Sequence, residues 1–338
     1  MMKEWLERLA QGTRLSQREA EQLMGEIMDG HATPSQIGAL LMALRLRGET
    51  VPELTGFALA MRKRATPVPI TRRPVLDTCG TGGDGSSSLN VSTLAALVAA
   101  AGGVPVAKHG NRSASSRCGS ADLLEALGVD IPDTAVEAGR LVDEVGFGFL
   151  YAPLLHTSMR HAMPTRRELG LRTVFNLLGP LTNPAEAEHQ LLGVFSPEWV
   201  EPVAAVLAEL GTLHALVVHG AGLDEVSADQ ETLVAEVRGS RVKTWTLAPG
   251  ETGITLEPVA NIRGGDPAEN ARMAEAILSG RLAPGSETVA LNAGAALYAA
   301  DRVESVREGV EVSRRLLQEG AAERVLQQLR ERSRHRSA

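Results

Sequence analysis

The sequence predicts an α/β protein, with a small N-terminal helical domain and a large α/β domain on a mainly parallel central sheet. Two observations carry this: residues 1 to 66 hold only helix signals, and from Val75 onward short apolar strands alternate with helix-length segments. A chain of 338 residues, 43% of them hydrophobic, can bury such a core. In the first block Ser16 with Glu19, Thr33 with Gln36 and Thr50 with Glu53 form S/T-x-x-E/Q capping boxes, and Pro34 and Pro52 fall in first turns. The segments they open, QREAEQLMGEIM, PSQIGALLMALRLR and VPELTGFALAMRKRA, repeat apolar residues at three- and four-residue spacing, so each buries one face. TPVPITRRP at 66–74 then acts as a hinge or linker, since proline-bearing polar stretches cannot continue a helix. Beyond it PVLDT, VPVAK, FGFLY, HALVVH and ETVALNA read as strands. Between and after them STLAALVAAAG, TAVEAGRLVDEV, PEWVEPVAAVLAEL, PAENARMAEAIL and ESVREGVEVSRRLL read as helices. The expected divisions are a helical domain at 1–72, an α/β domain at 73–333 and a basic tail at 334–338.

Composition excludes several classes. The longest apolar runs, such as LAALVAAAGGVPVA, are broken by Gly and Pro and fall short of the roughly 18 residues a membrane span needs. The N-terminus MMKEWLERLAQG lacks the apolar stretch of a signal peptide. Only Cys79 and Cys118 are present, which fits the reducing cytoplasm and argues against a disulfide or a cysteine-built metal site. A formal charge of −7 and 3% aromatics argue against a nucleic-acid partner.

The chemistry concentrates after the first strand. In LDTCGTGGDGSSSLNVST, Gly80, Gly82 and Gly85 spell GxGxxG. A dinucleotide site needs an acidic residue at the end of the next strand, but VPVAK ends in Lys108 and His109, and no GK[ST] follows for a nucleotide-triphosphate loop. What remains is an anion cradle, in which glycines let backbone N–H groups approach and the following helix adds its dipole. Asn90, Ser92 and Thr93 stand at that helix start, either as phosphate donors or as caps. Asp84 would repel a bare phosphate and implies a divalent cation, a sugar or backbone donors beside it. After the second strand, AKHGNRSASSRCGSADLLEALGV places Lys108, His109, Asn111, Arg112 and several serines before a helix, more donors than a turn needs. His109 reads as a general acid or as a plain donor.

These blocks, with RRELGLRTVFNLLGPLTNP, GLDE, GGDPAENA and LNAGAALYAAD in the same order over nearly the whole chain, resemble the anthranilate phosphoribosyltransferase family. The resemblance implies a nucleoside phosphorylase-like architecture, the helical domain completed by a segment near 158–190, and a homodimer. It implies transfer of the phosphoribosyl group from phosphoribosyl diphosphate to the amine of anthranilate, in tryptophan biosynthesis, with Mg²⁺. Residue by residue, it implies that Gly80, Gly83, Asp84, Ser88, Asn90, Val91, Ser92 and Thr93 line the phosphoribosyl diphosphate site. Lys108, His109, Gly110, Asn111, Arg112, Ser113, Ala114, Ser115, Ser116 and Ser120 complete it. Gly80, Asn111 and Arg166 are implied for anthranilate, and Ser92, Asp224 and Glu225 for the metal. The residue types suit these roles. Arg166 offers a planar, charged fork for an aromatic carboxylate, although alone it reads as a surface arginine. Asp224 and Glu225 offer adjacent hard oxygens, although an exposed acidic pair is usually just solvated. An aromatic amine is neutral at neutral pH, so positioning and electrostatics carry the acceleration and no acid or base is assigned.

The chain departs from the family's pattern where HGAGLDE shortens the usual HGxDGLDE, where SADQETLVAEV lacks a glycine, and where Leu154 and Leu155 precede His156. A nucleoside phosphorylase is the rival enzyme, and it would need no arginine facing a carboxylate. A non-enzymatic nucleic-acid-binding relative would need a basic face, which the −7 balance opposes.

Overall fold

The structure, a computed structural model, describes all residues except 1, 84, 86, 87, 114–116 and 335–338. Four helices, Met2–Ala10, Gln17–Met28, Pro34–Arg47 and Val51–Arg62, lead the chain. The boxes at Ser16/Glu19 and Thr33/Gln36 close in both directions. In the third, Glu53 accepts from the Thr50 N–H at 3.0 Å but also from the Leu15 N–H at 2.8 Å, and pairs with Arg47 at 2.6 Å. That buried carboxylate ties three segments together. The later helices Met163–Leu169 and Val174–Leu181 join this block, and Val174, Phe175, Leu177, Leu178 and Leu181 share one core with Leu23, Ile27, Leu40 and Phe57.

A seven-stranded sheet forms the rest of the frame: β1 Leu76–Gly80, β2 Val106–Gly110, β3 Phe147–Tyr151, β4 His189–Gly193, β5 His214–Gly220, β6 Thr232–Arg238 and β7 Arg241–Leu247. Its order is β3-β2-β1-β4-β5-β6-β7, parallel from β3 to β5 and antiparallel at β6 and β7. Along β4 the side chains alternate, Leu191 entering the core under helices Val91–Ala101 and Ser286–Ala299, and Leu192 the core under the N-terminal helices. Winding reverses between β1 and β4, and there Gly80 pairs in register with Gly193. In open sheets this switch point is where ligands collect.

One expected strand is a helix. ETVALNA lies inside Ser286–Ala299, a span too long for an ordinary strand, and a short apolar run alone does not distinguish the two. HQLLG, TLVAEVR and RVKTWTL, unassigned from sequence, are β4, β6 and β7.

Candidate active site

Asp224 is built into the end of the sheet by glycines. A Cβ on Gly80 would fall 2.2 Å from Asp224 Oδ2, and one on Gly193 would fall 1.5 Å from the Asp224 carbonyl oxygen. Only glycine admits that approach at either strand end. The Gly82 N–H donates to Asp224 Oδ2 at 2.7 Å, and the Ser92 N–H donates to Glu225 Oε1 at 3.2 Å. Ser92 and the acidic pair Asp224 and Glu225, far from it in sequence, therefore meet at the glycine loop and the first turn of helix Val91–Ala101. Both loop and helix amides face protein carboxylates, so a phosphate reaching them has to share or displace these groups. The donor set is all hard oxygen, as magnesium requires.

Around it the donors are ordered by one another. Lys108 is 2% exposed, and its ammonium donates to the Thr78 carbonyl and to Ser92 Oγ at 3.3 Å. It thus lies beneath the loop and orients Ser92. Burial pushes the Lys108 pKa down and that of buried Asp77 up, each opposed by the other's charge. Asn90 makes no side-chain cap. Its amide instead donates to the Cys118 carbonyl and accepts from Asn270, both at 3.1 Å. Thr93 Oγ1 is buried without a partner, and the Val91 side chain is in the core. Capping therefore does not account for this polar cluster. Ser88 bridges to Arg263. Arg112 is held away as a cation by Asp122 at 3.0 Å and Glu125 at 2.6 Å, while the Ser113 N–H donates to Asp122 and Ser120 Oγ to the Asn111 carbonyl. Gly83 has φ 74° and Gly110 packs on Ser120 and Phe149. Asp84, Ala114, Ser115 and Ser116 lie outside the described residues.

A cavity of about 630 Å³ opens beside these strand ends, lined by Gly80, His109, Gly110, Asn111 and Arg112 on one side and by Met159, Met163, Arg166 and Phe175 on the other. Arg166 is half-buried, its guanidinium carbon 4.9 Å from the Phe175 ring centroid. Burial pulls its pKa down to about 10, so it stays charged, and among the described residues no carboxylate pairs with it. A fixed cation with an apolar floor suits an aromatic acid.

His109 and His156 share the cavity wall, ring centroids 5.1 Å apart, and each has an Nε2 without a partner. Burial drives the His109 pKa well below its ordinary value, leaving a neutral ring and removing the general-acid alternative at neutral pH. Burial also lowers His156 from 6.5 to about 4. The unfolded chain then binds the extra proton between those values, so stability is full above the unfolded pKa and falls as pH drops toward the folded one. In chemical denaturation, His156→Gln should reduce the loss of stability between about pH 7.5 and about pH 5 by about 2 kcal/mol relative to the parent. An identical loss in both chains would assign the acid sensitivity elsewhere.

Three asparagines escaped sequence reasoning. Asn292 Oδ1 accepts from the Val226 N–H at 2.9 Å and its amide donates to the Val226 carbonyl at 2.8 Å, which fixes the chain just past Glu225. Asn270 accepts from the Gly265 N–H at 2.7 Å and holds Asn90. Asn183 donates to the Ala107 carbonyl at 2.8 Å beneath β2. The available signal was a polar residue inside an apolar run, as in VALNAGAAL. At the other end of β4 and β5, ligand atoms of His189, His214 and Asp301 lie within 4.8 Å of one another. Arg238 pairs there with Asp301 at 3.1 Å and with Glu236 at 2.8 Å, so a cation already matches both acids.

Comparison with known proteins matches residues 3–65 to the helical bundle domain and residues 72–323 to the a/b domain of a glycosyl transferase family. The anthranilate phosphoribosyltransferase of Symbiobacterium thermophilum is 54% identical over 98% of this chain and 97% of its own. The crystal structure of anthranilate phosphoribosyltransferase from Thermus thermophilus superposes with a TM-score of 0.93 at 49% identity, covering 97% of this chain and 99% of that one. The Saccharomyces cerevisiae enzyme, solved in complex with PRPP and Mg, gives 0.89 at 28% identity, covering 98% and 97%.

Proposed function

Because the chain belongs to the anthranilate phosphoribosyltransferases of this glycosyl transferase family, we propose which of its residues hold each substrate. The activity is transfer of the phosphoribosyl group of 5-phosphoribosyl 1-diphosphate to the amine of anthranilate, giving phosphoribosyl anthranilate and diphosphate in tryptophan biosynthesis. The observation that carries the assignment is the meeting of the Asp224 cradle with a cavity holding a half-buried arginine without a carboxylate partner among the described residues.

In our reading Gly80, Gly83, Ser88, Asn90 to Thr93 and the loop from Lys108 to Ser116 with Ser120 surround phosphoribosyl diphosphate. Asp84, Ala114, Ser115 and Ser116 enter on the family's pattern alone. Asn111 and Gly80 position the amine, while Arg166 takes the carboxylate through two parallel N–H bonds. Ser92, Asp224 and Glu225 would hold magnesium, which supplies charge for the departing diphosphate. The aromatic amine is itself neutral at neutral pH, so its lone pair is available without a base, and the neutral His109 ring adds no charge to the cavity wall. Lys108 keeps Ser92 in place from below. Residues 1–72 with the segment near 158–190 form the helical domain and 73–333 the α/β domain. We place the protein in the cytoplasm, a setting that two buried free cysteines support, and take a homodimer from the family's pattern alone.

Competition between anthranilate and aniline tests the substrate assignment: the chain should consume anthranilate almost exclusively, and equal use of both would contradict it. For the metal, Asp224→Asn with Glu225→Gln should raise the Mg²⁺ concentration for half-maximal rate about tenfold or more. An unaltered magnesium dependence would return the pair to a structural role.

A further inference from the structure

We propose that Arg172 is a diphosphate-binding residue reaching the glycine loop from the helical side of the cleft. The inference rests on reading that loop and Asp224 as the phosphoribosyl diphosphate site.

Arg172 lies in the strap between helices Met163–Leu169 and Val174–Leu181. Its backbone carbonyl accepts from Arg45 of the N-terminal helices, so the strap is tied to that block. Its side chain points the other way. A Cβ on Gly83 would sit 3.4 Å from Arg172 Nε, which puts the guanidinium beside the loop. There its carbon lies 4.7 Å from the Phe195 ring centroid. Phe195 is itself joined to the loop, since its N–H donates to Thr81 Oγ1 at 2.9 Å and the Thr81 N–H donates to the Gly193 carbonyl at 2.9 Å. Arg172 is exposed, and among the described residues no carboxylate pairs with it. The result is a planar cation, stacked on an aromatic face, beside backbone that glycine leaves open.

The position selects which end of the substrate it meets. The Gly82 N–H contacts Asp224, so the magnesium carboxylates adjoin the residue next to Gly83. A magnesium ion held by those carboxylates would supply its charge to the most highly charged phosphates, and in this substrate those are the diphosphate rather than the 5-phosphate. During transfer the amine lone pair forms the N–C1 bond, and the C1–O bond breaks with its electron pair passing to the diphosphate oxygen. An amine proton leaves to water. Negative charge on the diphosphate therefore grows as the bond breaks, and a bidentate guanidinium facing it is favoured over an ammonium or a neutral amide. Because the strap belongs to the helical block, this contact also ties the leaving group to that block.

The test is calorimetric titration of the full chain with inorganic diphosphate plus Mg²⁺ and, separately, with ribose 5-phosphate, for the parent, Arg172→Gln, Arg172→Lys and Phe195→Leu. Arg172→Gln should weaken magnesium diphosphate about tenfold and raise KM for phosphoribosyl diphosphate in step, leaving ribose 5-phosphate affinity and KM for anthranilate unchanged. Arg172→Lys should recover part of the loss, and Phe195→Leu should retain the affinity because the charge remains. Unchanged diphosphate affinity in Arg172→Gln overturns the inference, as does equal weakening of both ligands or an equal loss in Phe195→Leu. Asp224→Asn separates the two levels: if it weakens magnesium diphosphate while Arg172→Gln does not, only the role of Arg172 falls. If neither does, the diphosphate site itself has been misplaced.

Discussion

Gly80→Ala is expected to lower kcat/KM for phosphoribosyl diphosphate by about 100-fold while the far-ultraviolet circular dichroism stays that of the parent. The added methyl would meet Asp224 Oδ2 at 2.2 Å and its carboxyl carbon at 2.9 Å. Both atoms belong to a short, buried side chain, so the relief available is a shift of Asp224 away from the Gly82 N–H. The loop and the acidic pair are thus displaced together, and a displacement of about 1 Å in a positioned site costs about two orders of magnitude. Gly83 has φ 74° with Arg172 as its neighbour, so a side chain there strains the turn without touching Asp224. Comparing the two variants separates loop strain from carboxylate displacement. A Gly80→Ala chain with parental kcat/KM would show that the Asp224 cradle is packing alone.

Arg166→Ala is expected to raise KM for anthranilate roughly 30- to 150-fold and to move KM for phosphoribosyl diphosphate only slightly. Loss of a charge-assisted pair in a partly dry cavity costs about 2 to 3 kcal/mol, and each 1.4 kcal/mol is about tenfold. Burial already pulls the Arg166 pKa to about 10, and Phe175 is its near neighbour, so a bound carboxylate restores an interaction that water supplies poorly. The variant should also lose discrimination between anthranilate and aniline. Steady-state kinetics with each amine checks this. Equal weakening of both substrates would make Arg166 a structural residue that shapes the cleft.

Much of this site was legible in the sequence because its parts are local. The glycine loop, the donors before helix Ser120–Ala126 and the acidic pair each sit within one short stretch, at strand ends where an α/β pattern places ligands. What was not legible depends on contacts across long separations. Nothing in LNAGAALYAAD shows that Asn292 clamps Val226, and its apolar run reads equally as strand or helix until packing decides. The sequence marks Lys108 as a cation at the phosphate end of β2, but its burial and its hold on Ser92 Oγ depend on contacts that only the fold reveals. Arg112 looked equally available, yet Asp122 and Glu125 from the next helix engage it. Short strands such as HQLLG were hidden because five residues between a proline-rich turn and a helix give little periodicity to count.

The proposed function places both substrates, phosphoribosyl diphosphate and an aromatic amine bearing a carboxylate, in one cleft at the ends of β1 and β4. The most direct measurement follows anthranilate fluorescence and released diphosphate together, after mixing the protein with both substrates and Mg²⁺. Fluorescence should fall and diphosphate appear in equal molar amounts, with neither change when aniline replaces anthranilate at equal concentration. Unchanged anthranilate fluorescence in a chain that instead cleaves nucleosides with free phosphate would contradict it.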